Sequence, residues 1–357
     1  MTGLALLWMG ALTMWGQETN APVRIAVVGL AHVHAMTFIP RMFGRPDMEL
    51  VGIVESNRDI AARYQAQFKL DPRLFYSSLD ALRARTNVQA VFCFAATADH
   101  LSVVKDCAAR HIDVMVEKPM ARNAEEARAM ERVAEKAGIK LAVDFETTWY
   151  SANREAYARL HRHEIGDLRK VFIRDGIRGP VEIQCPPEFL EWETDTNGGG
   201  ALMDFACYGA NIMTWLMDGE RPDSVIAVTQ HWKPGIYPKV EDEATVLLLY
   251  PKARAVLEAT WNGPFDRKDM ELYGQTGYLL VPKGDVLRMR TARSNETQVS
   301  VPPAPISEAD PISYLAAMER GLQPGGCSAA KLNVTVMEIL DAAKESARTG
   351  KRIDLPR

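Results

Sequence analysis

The chain has 357 residues, 47% of them hydrophobic and 25% charged, with a formal net charge of -4. That is ordinary globular composition for about two domains; it excludes a mostly disordered chain and leaves no basic footprint for nucleic acid. No apolar run approaches the roughly 18 residues of a membrane span, and the five cysteines (Cys93, Cys107, Cys185, Cys207 and Cys327) are odd in number with no CxxC pair, which excludes a disulfide framework and argues against a cysteine-based zinc site.

Residues 1–20 stand apart from the fold. Leu4 to Trp15 is a 12-residue apolar stretch, too short to span a bilayer but the length of a signal-peptide core. No Lys or Arg precedes it, and Gly16 is the best small residue at its end. Export to the periplasm is the expectation, with a cytoplasmic protein carrying a loose N-terminal extension as the alternative.

From Arg24 the pattern becomes regular. Buried strands are expected at 24–29 (RIAVVG), 48–54 (MELVGIV), 90–95 (AVFCFA), 113–117 (DVMVE) and 140–145. Helical spacing separates them at 35–43, 58–68, 101–110 and 123–138. Strands alternating with helices of about 10–15 residues indicate a doubly wound parallel sheet, which places a dinucleotide-binding Rossmann domain over 21–145. Ligands in such sheets bind beyond the carboxyl ends of the strands.

The turn after Val28 reads Gly29-Leu30-Ala31-His32-Val33-His34. The dinucleotide fingerprint wants G-x-G-x-x-G, whose glycines allow a tight turn and close approach to a pyrophosphate at a helix N-terminus. Only Gly29 survives; Ala31 is a small substitute and His34 takes the third position. Gly29, Ala31, His32 and Val33 are the expected cofactor contacts in this turn. Glu55 ends the second strand, where an acid accepts hydrogen bonds from an adenosine ribose and favours NAD. Arg58 stands nearby and keeps NADP open. His32 and His34 form an H-x-H pair that suits hydrogen bonding, a structural role or metal ligation. The reading adopted is hydrogen bonding, with His32 toward cofactor, His34 toward substrate and no metal.

Glu117-Lys118-Pro119 follows the strand DVMVE, and a residue before proline is biased to extended backbone. Lys118 is thereby held at a strand end beside the ligand crevice. About eighty residues later comes the run Asn197-Gly198-Gly199-Gly200-Ala201-Leu202-Met203-Asp204. With this layout the chain resembles the Gfo/Idh/MocA oxidoreductase family from Arg24 nearly to its end. The resemblance implies an α/β fold: an N-terminal Rossmann domain, then a substrate and oligomerisation domain over 146–357 with a large, open, mostly antiparallel sheet. It also implies cofactor contacts at Thr97, His100, Glu117 and Lys118. Strand-like segments at 170–175, 224–232, 244–250, 255–261 and 269–273 fit the second domain, and 333–349 reads as an amphipathic C-terminal helix that packs back on the first.

Asp204, Tyr208 and Asn211 share a helix face at i, i+4 and i+7. The family often carries His in place of Tyr208 and Asp in place of Asn211; a Tyr/Asn pair occurs in some branches. A tyrosine has an ordinary pKa near 10, so neutral-pH chemistry needs a cation, and Lys118 is the candidate. The catalytic set is then Lys118, Tyr208 and Asp204, with Tyr208 partly ionised as the proton acceptor. Trp149, Tyr150, Arg178, Asn211 and His34 are the expected substrate contacts. Trp192, Asp195, His231, Trp232, Lys233 and Tyr237 add to an aromatic and charged population suited to a carbohydrate.

The function expected is NAD(P)-dependent hydride transfer to or from a sugar, glycoside or polyol, in a homo-oligomer. The alternatives are a non-redox enzyme that keeps NAD bound, and a non-catalytic dinucleotide- or sugar-binding protein.

Overall fold

The computed structural model describes residues 21–190 and 199–356. The apolar N-terminal segment and Trp192, Asp195, Asn197 and Gly198 lie outside the described residues.

The first layer comprises β1 (Val23–Val28), α1 (Ala35–Met42), β2 (Met48–Val54), α2 (Arg58–Phe68), β3 (Phe75–Tyr76), α3 (Leu79–Arg83), β4 (Ala90–Cys93), α4 (His100–Ala108), β5 (Asp113–Glu117), α5 (Ala124–Ala137) and β6 (Leu141–Asp144). Its strands pair in the order β3-β2-β1-β4-β5-β6, all parallel. Both faces of such a sheet are covered, which is why its strands are continuous apolar runs rather than alternating ones. The order reverses between β1 and β4, and the crevice opens there at the carboxyl ends. Asn57 and Asn123 cap α2 and α5 by accepting from first-turn backbone N–H groups, as short polar side chains do at helix starts.

The second layer contains α6 (Ser151–His161), β7 (Leu168–Gly176), α7 (Pro187–Leu190), α8 (Ala201–Leu216), β8 (Ser224–Gln230), β9 (Glu243–Leu249), β10 (Arg254–Thr260), β11 (Arg267–Gly274), β12 (Gly277–Lys283), β13 (Val286–Thr291), β14 (Thr297–Val299), α9 (Pro311–Glu319), α10 (Ala330–Thr349) and β15 (Ile353–Asp354). The nine-stranded sheet runs β14-β13-β12-β11-β7-β10-β9-β8-β15. Only the β7–β10 pair is parallel. Its strands alternate: Ala244, Val246 and Leu248 of β9 point into the core while their neighbours are half-exposed. One face is therefore packed and the other open. No helix of the described residues is long and apolar enough to cross a membrane.

Two C-terminal helices join the layers. α10 packs on α8 and β8 and also on α5, where Glu338 pairs with Arg128 at 2.6 Å and Asp341 accepts the Ala124 N–H at 2.8 Å. α9, which the sequence reading left unassigned, places Ile312, Leu315, Ala316 and Met318 in the core formed by Ile25, Val27, Phe92 and Met115. It is apolar on nearly every side because it is buried on nearly every side.

Asn211 belongs to this architecture and not to the substrate site. Its side chain is fully buried, and its amide donates to the Cys327 carbonyl at 2.9 Å and to Asn333 Oδ1 at 3.0 Å, tying α8 to the start of α10. Seven residues along a helix rotate a side chain about 20° less than two full turns, and here the neighbour on that side is α10. Asn211→Ala should lower the unfolding free energy by about 1–3 kcal/mol, the cost of leaving buried polar partners unsatisfied. Denaturant unfolding checks this, and the KM of any substrate should stay unchanged in the same variant.

Candidate active site

The crevice begins at Gly29. Its φ of +77° is left-handed, and a Cβ there would lie 2.5 Å from the Ala95 Cα. No other residue satisfies both demands, which explains why this glycine persists in a degraded fingerprint. Glu55 accepts the Leu30 N–H at 3.0 Å and the Asn57 N–H at 2.7 Å, so it braces the turn. The N–H groups of Ala31 and Val33 have no protein acceptor among the described residues.

Gly29, Ala31, Glu55, Ala96 and Asp99 line a cleft of about 520 Å³. The open N–H groups, the glycine at the turn and the strand-end carboxylate fit a dinucleotide. Three further acids line this cleft: Asp99, Asp106 and, on α7, Glu188, which is paired with Arg63. Burial raises the Glu55 pKa, and Glu188 adds to the rise. A 2′-phosphate would meet both acids, which favours NAD. Arg58 is exposed at the start of α2 and outside the cleft lining, so it does not offset them. Val33 packs against Cys185 and Phe189 of the segment that carries Glu188.

Further in, the ends of β5 and α8 meet. Lys118 Nζ pairs with Asp204 Oδ1 and bonds the Asp204 carbonyl at 3.2 Å, while Asp204 Oδ2 accepts from Trp261 Nε1 at 2.9 Å. Burial alone would lower the Lys118 pKa, but Asp204 reverses that and holds the ammonium charged. Lys118 Nζ lies 5.2 Å from the Tyr208 ring centroid, and Lys268 Nζ lies 4.9 Å from it. Lys268 is in turn held by Glu146. The three residues expected to be catalytic are thus brought together.

α8 can approach this closely because of its N-terminus. Gly200 has φ +96°, a Cβ there would strike the Glu241 carboxylate, and that carboxylate accepts the Leu202 N–H at 3.0 Å. The last glycine of the run is therefore what lets Glu241 cap the helix.

The structure corrects the ionisation expected of Tyr208. Its pKa is raised well above 10, first by burial and then by Glu146, Cys207, Glu117 and Asp204. Lys118 is shared with Asp204, and burial together with the surrounding acids prevails at the hydroxyl. Tyr208 is a neutral hydroxyl that donates, and its hydroxyl makes no hydrogen bond among the described residues.

His100 is also corrected. It is fully buried, its ring nitrogens facing the Met120 carbonyl at 3.1 Å and the Ala95 carbonyl at 3.3 Å, so it braces the crevice loops and does not touch cofactor. Thr97 is buried beside it, with 1% exposed. Arg178 has an exposed side chain outside the pocket linings, and only its carbonyl is used, by Lys233 Nζ at 2.6 Å.

Glu117 is fully buried. Its Oε1 lies 3.0 Å from His34 Nδ1, and its Oε2 accepts the Lys118 N–H at 3.2 Å and lies 3.7 Å from His32 Nε2. Trp149 donates to Asp144 at 2.7 Å, and Tyr150 donates to Glu146 at 2.5 Å. Trp149, Tyr150, Glu146 and Lys268 line a broad pocket of about 1000 Å³ beside Tyr208, together with Phe265 and Asp269.

Sequence reasoning missed Lys268, Trp261, Glu188, Asp144 and Asp175. Asp175 lies next to last in β7, so inspection of strand ends in the second domain would have found it. Asp144, the last residue of β6, carries the same signal, and Lys268, Trp261 and Glu188 carry none.

Two domain profiles match the chain: an oxidoreductase-family domain with an NAD-binding Rossmann fold over residues 23–145, and a GFO/IDH/MocA C-terminal domain over 153–280. The chain belongs to the Gfo/Idh/MocA oxidoreductase family. It is an oxidoreductase-family protein whose first domain is the NAD-binding one.

Trans-1,2-dihydrobenzene-1,2-diol dehydrogenase of Xenopus tropicalis is 30% identical over 52% of this chain and 53% of its own length. The Sus scrofa protein of the same name is 27% identical over 60% of each. The chain thus spans between about half and three-fifths of these relatives' length. Among solved structures, aldose-aldose oxidoreductase from Caulobacter crescentus complexed with glycerol superposes with a TM-score of 0.79 at 22% identity, over 94% of this chain and 100% of that one. An inositol dehydrogenase homologue from Azotobacter vinelandii complexed with NAD+ gives 0.77 at 18%, over 94% and 97%. Both share the fold described above.

Two outcomes follow from the electrostatics of this Gfo/Idh/MocA site. Glu55→Ser should narrow the preference for NAD over NADP by roughly tenfold or more, because like charges brought together cost a few kcal/mol. Dissociation constants for both nucleotides check this. Asp175 is buried and its pKa is pushed well above the ordinary value. Its folded value exceeds its unfolded one, so its contribution to stability declines as pH rises from about 4 toward the folded value. Asp175→Asn removes that decline, so the variant should gain on the parent in denaturant midpoints as pH rises above about 4. A constant difference would reject burial as the cause.

Proposed function

We propose that this protein interconverts a secondary alcohol and a ketone on a sugar or polyol, with NAD as the redox partner. The observation that carries the reading is the charged Lys118, fixed by Asp204 against the neutral hydroxyl-bearing Tyr208, at the carboxyl edge of an NAD-binding sheet and beside a large polar pocket.

When bound, NAD supplies the hydride acceptor for oxidation of the alcohol carbon. The chain's own residues handle position and charge. Lys118 presents a fixed positive charge to the substrate oxygen, which stabilises negative charge developing there. Tyr208, protonated at rest, is the hydrogen-bond donor to that oxygen and supplies the proton when a carbonyl is reduced. Asp204 keeps Lys118 charged and aimed, and Trp261 holds Asp204. Trp149, Tyr150 and Phe265 offer ring faces, and Glu146, Lys268 and Asp269 offer charged hydrogen-bonding groups in a pocket large enough for one or two sugar rings. The names of the dihydrodiol dehydrogenases, the glycerol-bound aldose-aldose oxidoreductase and the inositol dehydrogenase homologue support a polyhydroxylated or diol substrate.

A second reading is favoured by the placement of α7. Glu188 reaches from the second domain into the cofactor cleft. A cleft bridged in this way suits retained NAD that cycles within one turnover, as elimination or glycoside cleavage by transient oxidation would require. Turnover with no net absorbance change at 340 nm would select it. A homo-oligomer is part of the same proposal, supported by Ile226 and Val228 on the open face of the second sheet, 37% and 56% exposed.

Lys118→Ala should reduce kcat on any sugar or polyol substrate by about 10²–10⁴-fold, the usual scale for loss of a proton-transfer or charge-stabilising group. NAD affinity should stay close to that of the parent. Tyr208→Phe should give a similar loss in kcat with Lys118 still in place. Steady-state rates and NAD titration check both, and undiminished turnover in either variant rejects its assigned role.

A further inference from the structure

We propose that His34, oriented by the buried carboxylate of Glu117, carries protons between the closed nicotinamide crevice and solvent. The proposal rests on the oxidoreductase reading above. Oxidation of an alcohol sends a hydride from carbon to NAD+ and leaves one proton from the hydroxyl. That proton has to leave the site, and in the reverse direction one has to arrive.

The groups assigned to catalysis are poorly placed to do this. Lys118 is already protonated and 4% exposed. Tyr208 is held neutral and 1% exposed. Both Asp204 oxygens are engaged, by Lys118 and by Trp261. His32 is buried and its pKa is pushed well down, so it stays neutral.

His34 differs on each count. Its side chain is 27% exposed, and Nδ1 lies 3.0 Å from Glu117 Oε1. Nε2 has no partner among the described residues. Glu117 is anchored from behind by the Lys118 N–H, so the dyad is built on the same strand end as the catalytic lysine. The titratable groups facing His34 are His32 in its own turn, Glu117 from β5 and Glu146 after β6. Two of these are acids, and the hydrogen bond to a carboxylate fixes the orientation of the imidazole. An imidazole is also the side chain whose ordinary pKa lies nearest neutrality.

The same cluster could be read as a metal site, because His32, His34 and Glu117 converge. The hydrogen bonding speaks against that. His32 Nδ1 accepts the His34 N–H at 3.2 Å, so a neutral His32 ring carries its proton on Nε2, the atom facing Glu117 at 3.7 Å. A donor hydrogen, not a lone pair, then points toward the would-be metal, and the Lys118 charge stands beside it.

The test uses the NAD-loaded protein. In histidine-labelled protein followed by NMR, Glu117→Gln should move the His34 ring resonances and its tautomer balance, because the partner of Nδ1 changes from a carboxylate to an amide. His34→Ala should lower kcat by roughly tenfold to a hundredfold, remove a limb of the pH–rate profile, and be partly rescued by added imidazole, with NAD affinity little changed. Wild-type kcat and an unchanged pH profile in His34→Ala would overturn the proposal. So would one equivalent of a divalent metal per chain by elemental analysis, lost in His34→Ala, because His34 would then be a ligand. A wild-type protein that oxidises no alcohol and reduces no ketone overturns the function reading, and the carrier role with it. The His34 shift in Glu117→Gln distinguishes that case from a dyad that was never formed.

Discussion

The Lys118–Asp204 ion pair is the contact on which the site depends. Each partner comes from a different domain, Lys118 from the end of β5 and Asp204 from the first turn of α8, and both are nearly excluded from water. Two charges brought into such a place lose several kcal/mol of hydration each, and their attraction offsets this only if the remaining hydrogen-bonding capacity is also met. Here it is met: Trp261 takes the second Asp204 oxygen, the Asp204 carbonyl takes a further Lys118 hydrogen, and two aromatic rings lie under the ammonium. The pair is therefore stable only when both domains are docked. α10 supplies that docking independently, through α5 on one side and α8 on the other. The domain interface and the reactive lysine are thus one physical problem with one solution.

Much of this was legible in the chain because the constraints are local. β1, β2, β4 and β5 are short, mostly apolar and rich in β-branched residues because a parallel sheet is covered on both faces, and helical spacing separates them. Gly29 was legible because only glycine fits its φ and its contact with Ala95. The other glycine positions of the fingerprint had degraded, and the structure shows why His34 is tolerated at the third. Its ring turns toward Glu117 and stays out of the packing between helix and strand. The strands β12 to β15, of which β14 and β15 are the sheet's edges, went unread. Two are only two or three residues long, and the longer ones carry mixed polar residues. α9 was missed for the opposite reason: burial on nearly all sides erases the amphipathic period that marks a surface helix.

The errors share a cause. Asn211 and His100 were assigned to ligands because each is a polar residue at the expected place in a functional segment. Each instead satisfies backbone groups, Asn211 at the start of α10 and His100 at two crevice loops. A polar side chain on a site-bearing element has two destinations, the ligand and the frame that holds the ligand-binding groups, and sequence spacing does not separate them. What separates them here is the side-chain donor: the Asn211 amide N–H groups are taken by the Cys327 carbonyl and Asn333 Oδ1, whereas the Tyr208 hydroxyl has no hydrogen-bond partner among the described residues, although both lie on the same helix.

The same accounting applied to charge explains the state of Tyr208. A tyrosine is acidified by a cation that is free to act on it. Lys118 and Lys268 both lie within cation–π range of the ring, but each is neutralised by its own carboxylate, Asp204 or Glu146. What reaches the hydroxyl is burial and a surplus of acids, and both keep its proton on. A site organised this way stabilises an oxyanion through Lys118 and donates a proton through Tyr208, and neither group takes a proton up in the oxidative direction. Among the described residues, the one imidazole that is both partly exposed and backed by a buried carboxylate is His34, in the turn that a complete glycine fingerprint would have left without a side chain.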